Sequence, residues 1–462
     1  MITRLHARRF KSWKDTKVLQ LAPLTGFFGT NSSGKTSLIQ TLLLLKQTVE
    51  SADRKRVVNT GDNSSLIQLG TPFDLIYGHR VGSVQLSVDW GLPQPLEITD
   101  PASEEHELFK IDSLSFSTRI HVDQQRTTVD SFKYEFSGRC FGLKRQHDKG
   151  NPGKDRYDLV SKGYDPKRIQ GRPWPLPAPV KCYGFPDEAT GYYQNTGFLP
   201  DFTLALENLF SQMSYLGPLR EYPRPRYVWA GERPTDVGRR GEHAVAALLA
   251  ARAEEMKSGR GVGKRRRYKP IEQRIAEWLS KMDLIQSFKL MPIAKNRQEY
   301  EVRVKKMRTS TEVLITDVGF GVSQILPVLV LCYYAPEKST IILEQPEIHL
   351  HPSVQADLAD VLIDVVKERN VQVIVESHSE HLLRRLQRRI AEAAITADMT
   401  ALYFCRTTDS ASIADRLNVD EDGNITNWPI GFFGDELGEL AAMTAAAMKR
   451  QEATQSNARH RC

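Results

Sequence analysis

A chain of 462 residues is too long for one simple hydrophobic core, and 40% hydrophobic with 26% charged residues is the balance of a folded globular protein, not of a disordered one. The formal net charge of +7 suits nucleic acid or an acidic partner but is explained as well by solubility alone. Five cysteines, at 140, 182, 332, 405 and 462, form neither a CxxC pair nor a metal-ligand spacing, which argues against a disulfide framework and for a reducing, cytoplasmic setting.

Residues 1–80 predict strands, a glycine turn and a helix. The opening MITRLHARR lacks the apolar run of a signal peptide. Leu5, Phe10 and Trp13 sit among basic residues, and Phe27-Phe28 closes a short strand. Residues 37–48 (SLIQTLLLLKQT) are apolar enough to predict a mostly buried helix. Between strand and helix, Gly29-Thr-Asn31-Ser32-Ser33-Gly34-Lys35-Thr36-Ser37 contains the G-x-x-x-x-G-K-[ST] pattern. Glycines there let backbone N–H groups curl around phosphate oxygens at the positive end of a helix. Lys35 is then placed to reach the β- and γ-phosphates of ATP or GTP, and the Thr36 hydroxyl to bind Mg2+.

Residues 81–215 predict a β-rich insertion, from alternating runs at 84–88, 113–117 and 132–136. The polar stretch 146–179, rich in Gly, Pro, Lys and Asp, predicts a loop. Residues 216–310 predict a helical lobe, with helical patterns from 239 and over 271–289. Residues 311–400 turn α/β: the apolar runs 340–343 and 371–375 predict buried parallel strands with a helix between them. Residues 401–448 predict a β/α extension in which Asp420-Glu-Asp422 is a hairpin turn, and 449–462 a frayed tail. The longest apolar stretch, near 325–335, is far short of a membrane span, so no membrane partner is expected.

Three motifs in the second half complete a site. Thr340-Ile-Ile-Leu-Glu344-Gln345-Pro346-Glu347 is an apolar strand ending in carboxylates, at the sheet edge where ligands sit. Paired with the phosphate loop it predicts a Walker B element, Glu344 holding Mg2+ or its water shell together with Thr36. One βαβ unit later, Val373-Ile-Val-Glu-Ser377-His378 puts a histidine where it can contact the γ-phosphate. Upstream, Asp317-Val-Gly-Phe-Gly321-Val-Ser323-Gln324 opens an apolar helix and predicts a second anion-binding turn. One phosphate loop and a second, separate phosphate-recognition element suit an ATP shared between two copies of the chain.

These elements in this order resemble ABC-type ATPase heads of the SMC, RecF and OLD kind. The resemblance implies an α/β fold with a parallel core sheet, an N-terminal antiparallel β lobe carrying the β-rich insertion, and a helical lobe. It implies ATP and Mg2+ as cofactors and a homodimer or larger homo-oligomer in which Gly321, Ser323 and Gln324 act in trans on ATP bound by the other copy. His378 is then the switch histidine and Glu344 replaces the usual Walker B aspartate. The stretches YLGPLREYPRPRYVWAG, DVGRRGEHAV, ILEQPEIHLHPSVQADLAD, VESHSEHLLRRL and DGNITNWPIGFFGDEL are more closely similar to bacterial AAA-class ATPases with a poorly characterised C-terminal domain, often found in defence contexts. That likeness implies a nucleotide-gated regulator of a separate effector protein in anti-phage defence; the alternative is a RecF-like repair or maintenance ATPase acting directly on DNA.

Two departures from the pattern matter. Gln345 stands where such heads place the catalytic glutamate, and glutamine can hold a water but cannot take its proton, so hydrolysis is expected to be slow or to draw on Glu347. Gln68, in Leu66-Ile-Gln-Leu-Gly70, is the candidate Q-loop glutamine. Residues 80–310 show no sustained heptads, which argues against long coiled-coil arms. His349 and His351 fit the turn after Walker B better than a metal site. The basic candidates for DNA or RNA contact are residues 264–267 (KRRR), Arg384, Arg385, Arg388 and Arg389, and the arginines from Arg220 to Arg226, with a solvated charged face as the commoner explanation of such clusters.

Overall fold

The computed structural model describes residues 1–100, 103–123, 126–146, 155–172, 175–258, 269–295, 297–306, 311–429, 442–446 and 448. The basic cluster at 264–267 and the tail at 449–462 lie outside the described residues. Two large sheets organise the chain. Among the described residues one is antiparallel with eight strands, and the other has six strands in the order Met213–Leu216, Thr340–Glu344, Gln372–Glu376, Leu24–Gly29, Thr400–Thr407, Ser412–Arg416. The first five of these run parallel and the last is antiparallel to its neighbour.

The parallel sheet is buried on both faces because the middles of its strands are apolar: Leu24–Gly29, Thr340–Glu344 and Gln372–Glu376 have no exposed residue, and their polar residues lie at or near the strand ends. Alternate side chains serve two different cores. Ile342, Ile374, Ala401 and Tyr403 face the helix Lys35–Glu50 and the antiparallel sheet. Ile341, Leu343, Val373, Val375, Leu402 and Phe404 face the helices Phe320–Tyr334 and Pro352–Arg369. The chain is therefore an α/β head with a parallel core sheet, and the expected antiparallel lobe lies against one face.

That lobe begins with Ile2–Phe10, which pairs with the long strand Gly82–Asp100. Ser103–Val122, Thr127–Phe136 and Arg139–Arg145 follow as neighbours. The expected strands at 84–88, 113–117 and 132–136 lie inside three of these. Phe109, Phe136, Phe141, Phe198 and Phe202 pack edge-on and stacked, with ring centroids 5.3–6.1 Å apart, and tie the lobe to the helix Leu199–Ser211.

Several boundaries differ from the expectation. Tyr157–Lys162, inside the stretch read as a loop, is a strand paired with Arg139–Arg145. Met213–Leu216, at the end of the stretch read as a β-rich insertion, is the edge strand of the core sheet. The stretch read as a helical lobe also holds the hairpin Ser287–Pro292 with Glu299–Lys305. Thr400–Thr407 pairs directly with Leu24–Gly29, so the core runs past residue 400. Among the described residues no helix is long and apolar enough to cross a membrane.

Candidate functional site

The site is built on the carboxyl ends of the core strands. Gly29 closes its strand at φ +139°, and a Cβ there would lie 2.0 Å from the Cys405 carbonyl oxygen. Gly34 caps the helix Lys35–Glu50 at φ +89°, and a Cβ there would lie 2.6 Å from the hydroxyls of Ser12 and Ser412. Only glycine fits either place. The Trp13 indole N–H donates to the Gly34 carbonyl at 3.0 Å, which fixes the loop from behind. In front is an open cavity of about 430 Å³ lined by Ser12, the loop residues Asn31, Ser32, Ser33, Gly34, Lys35, Thr36 and Ser37, and by Gln345, Glu376 and His378.

Lys35 is 3% exposed, and its ammonium donates to the carbonyls of Gly29 (3.0 Å) and Thr30 (2.7 Å). Burial holds its pKa below the usual lysine value, with Glu376 pulling the other way. The ammonium is thus folded onto its own loop, satisfied by neutral acceptors that an anion can replace at a gain. Thr36 opens the helix beside it, and its hydroxyl donates to Glu376 Oε1 at 2.8 Å.

Three carboxylates converge at the strand ends. Glu344 and Glu376 are register partners on neighbouring strands. Glu344 Oε2 accepts from the Tyr215 hydroxyl at 2.6 Å. Glu347 Oε1 accepts from the His378 backbone N–H at 2.6 Å. Burial raises the pKa of all three, Glu376 to about 7 because the Glu344 charge adds to it. The buried Arg220 guanidinium donates to the Gln345 carbonyl at 3.3 and 3.4 Å. Gln345 itself sits in the left-handed region at φ +45°, its N–H donating to the Glu376 carbonyl at 2.8 Å, and it reaches the cavity. Burial, and next the Lys35 charge, hold the His378 ring below its usual pKa, which favours the neutral imidazole.

Residues 263–383, which include these carboxylates and His378, match the family described as AAA ATPase domain. Residues 395–443 match a family described as protein of unknown function (DUF3696). No protein of curated function matches. Among solved structures, the chain is similar to an SMC head bound to the C-terminal winged-helix domain of ScpA, at 13% identity, covering 90% of this chain and 98% of that one, with a TM-score of 0.44. It is similar to the SMC head domain from Thermotoga maritima at 11% identity, covering 90% and 99%, with a TM-score of 0.39. A Pyrococcus furiosus SMC head with an extended coiled coil, bound to the C-terminal domain of ScpA, gives 13% identity, 90% and 96% coverage and a TM-score of 0.41. The matched family supports nucleotide binding and ATP hydrolysis in general.

Other expected residues fall elsewhere. Gln68 is exposed and does not line the cavity; its amide donates to Asp62 O and Asn63 Oδ1 at 3.0 and 3.1 Å, closing a local turn. Ser323 lies one turn inside the helix Phe320–Tyr334, 6% exposed, and its hydroxyl donates back to the Phe320 carbonyl at 2.7 Å. Gln324 is 2% exposed. The outward part of this element is its start, Gly319 and Phe320, which are exposed. The Phe320 ring lies between Tyr222 and His349, with centroids 5.5 and 5.1 Å away.

The arginines offered for nucleic acid are largely engaged. Arg385 pairs with Asp357 and Asp360, Arg389 with Asp360 and Glu392, Arg388 with Glu392, and Arg384 with Glu380 while stacking on Trp428. Arg224 pairs with Glu221, and Arg220 is buried. Four residues of the site were not assigned to it from the sequence: Glu376, Tyr215, Trp13 and Arg220, the last read there as a nucleic-acid candidate. Glu376 had a signal, because a carboxylate ending an apolar strand is what drew attention to Glu344.

Proposed function

We propose that two copies of this ATPase close around ATP and Mg2+, and that this closure gates a separate effector protein in bacterial defence against phage. The observation carrying the proposal is the buried Lys35 ammonium, held only by neutral loop oxygens at the wall of an open cavity that also holds Thr36, Glu376 and His378. The donors and acceptors suit a magnesium nucleotide: Lys35 and the loop N–H groups for the phosphates, the Thr36 hydroxyl and a strand-end carboxylate for the cation. Magnesium would neutralise phosphate charge; the protein's own part is to orient the phosphates and the attacking water.

Pairing is supported by the start of the helix Phe320–Tyr334. Gly321 adjoins His349 and Leu350, just beyond the Walker B strand. Exposed Phe320 and Tyr222, with Leu219 at 72% exposure, give this region an apolar surface of the kind that marks contact sites. Because the Ser323 hydroxyl is turned inward, backbone N–H groups of the first turn are the donors offered to a γ-phosphate from the other copy. Hydrolysis is slow in this scheme, since Gln345 cannot accept a proton and Glu347 already accepts the His378 N–H through Oε1, leaving Oε2 as its one unpaired oxygen. Direct action on DNA is not favoured, because the described arginines at 384–389 are ion-paired.

Native mass spectrometry with and without ATP tests the pairing. Wild type should shift to an even-numbered assembly with ATP, and Lys35→Ala and Phe320→Ser should not. ATP-independent mass for wild type would overturn it. Steady-state turnover should rise in Gln345→Glu; fast wild-type turnover that survives Glu347→Gln would remove any catalytic part for Glu347.

A further inference from the structure

The metal carboxylate expected from the sequence is Glu344, yet three observations place a different one beside Thr36. First, topology: Gln372–Glu376 lies between the phosphate-loop strand and the Walker B strand, parallel to both, with Glu376 level with Phe27 on one side and with Glu344 on the other. Neighbouring strands are about 4.8 Å apart, so Glu344 is one whole strand farther from the loop. Secondly, engagement: Thr36 donates to Glu376 Oε1 at 2.8 Å, while Glu344 is taken by Tyr215 at 2.6 Å and does not line the cavity. Thirdly, an orphan: Glu376 is 1% exposed, and its Oε2 is buried without a hydrogen-bond partner. A buried carboxylate oxygen left unpaired is costly unless a cation or its water shell meets it.

We infer that Glu376, not Glu344, is the carboxylate that anchors the divalent cation of the nucleotide, through Oε2 and beside the Thr36 hydroxyl. Thr36, now bonded to Oε1, would be free to offer its hydroxyl oxygen to the ion beside Glu376. Glu344, locked by Tyr215, fixes the negative field behind the site and acts as a positioning residue. Magnesium keeps several waters and needs only one or two carboxylates besides phosphate oxygens. The cavity wall offers that set: the Glu376 carboxylate beside the Thr36 hydroxyl.

The inference rests on the cavity's binding a magnesium nucleotide, and the test separates the two. Affinity for a non-hydrolysable ATP analogue is measured in EDTA, and Mn2+ affinity of the resulting complex by electron paramagnetic resonance, for wild type, Glu376→Gln, Glu376→Asp and Glu344→Gln. In the expected result Glu376→Gln loses about tenfold or more in Mn2+ affinity, Glu376→Asp loses less, Glu344→Gln stays within about threefold, and none weakens analogue binding in EDTA. Loss in Glu344→Gln with Glu376→Gln unchanged overturns the inference while leaving nucleotide binding intact. If Glu376→Gln does not fold, Glu376→Asp, which keeps the charge but shortens its reach, decides by the same criterion. Wild type that binds no analogue in EDTA or Mn2+ overturns both readings together.

Discussion

The strand Gln372–Glu376 carries a buried polar side chain at each end, and the two ends are treated in opposite ways. Gln372 is 0% exposed, and its amide is fully engaged. It accepts from Ile2 N–H at 2.8 Å, donates to the carbonyls of Ile2 (2.6 Å) and Ala22 (3.2 Å), and accepts from Thr340 at 3.3 Å. Glu376 is 1% exposed, with one oxygen bonded and the other orphaned. The first is a pin joining the antiparallel lobe to the core sheet. The second is a charge kept short of partners until a ligand arrives. Burial alone therefore does not mark function; the completeness of the hydrogen bonding does.

If the contrast is right, the two ends respond to mutation with opposite signs. Gln372→Leu removes the side-chain bonds to the Ile2 N–H and carbonyl and to the Thr340 hydroxyl, and leaves the Ala22 carbonyl only its bond from Thr25; it should cost about 3 kcal/mol or more in denaturant unfolding. A cost under about 1 kcal/mol would mean that Gln372 is no pin. Glu376→Gln should instead stabilise the protein by about 3 kcal/mol above pH 7. Its carboxyl is raised from 4.5 to about 7, so between those values the folded chain holds a proton that the unfolded chain has lost. Wild-type stability should thus fall as pH rises through that window, and Glu376→Gln should flatten the slope; thermal midpoints across pH 4–8 check this. Tyr215→Phe, which strips Glu344 of its donor, should cost about 1–2 kcal/mol, measured by thermal unfolding at pH 8. Gln68→Ala should change nucleotide affinity less than about twofold by fluorescence titration, since that amide only closes a surface turn.

What the sequence revealed follows the same division between pattern and placement. The phosphate loop was legible because Gly29, Gly34 and Lys35 are demanded by local geometry at fixed spacing. The core strands were legible because all-apolar runs have few alternatives in a parallel sheet. The orientation of Ser323 was not legible, because spacing puts it at a helix start, whereas packing against the residues around Tyr222 and Val245 sets which way its hydroxyl turns. Glu376 was passed over because strand order decides which carboxylate stands next to Thr36, and strand order is a long-range property. Tyr157–Lys162 was hidden because an edge strand needs little apolar pattern when its partner supplies the ladder.

The end of the chain is less separable than its family assignment suggests. The segment matched by the second family begins at residue 395, and its first strand, Thr400–Thr407, is a full member of the core sheet. Thr407 donates to the Ser32 carbonyl at 3.3 Å, Ser412 N–H donates to the Ser12 carbonyl at 3.0 Å, and the Ser412 hydroxyl is one of the two walls that keep Gly34 a glycine. A truncation at residue 399 would therefore not release an accessory module from a working engine. It would expose an open sheet edge and unseat the phosphate loop, so a swap of C-terminal regions between relatives should be spliced beyond Arg416 if the chimera is to fold.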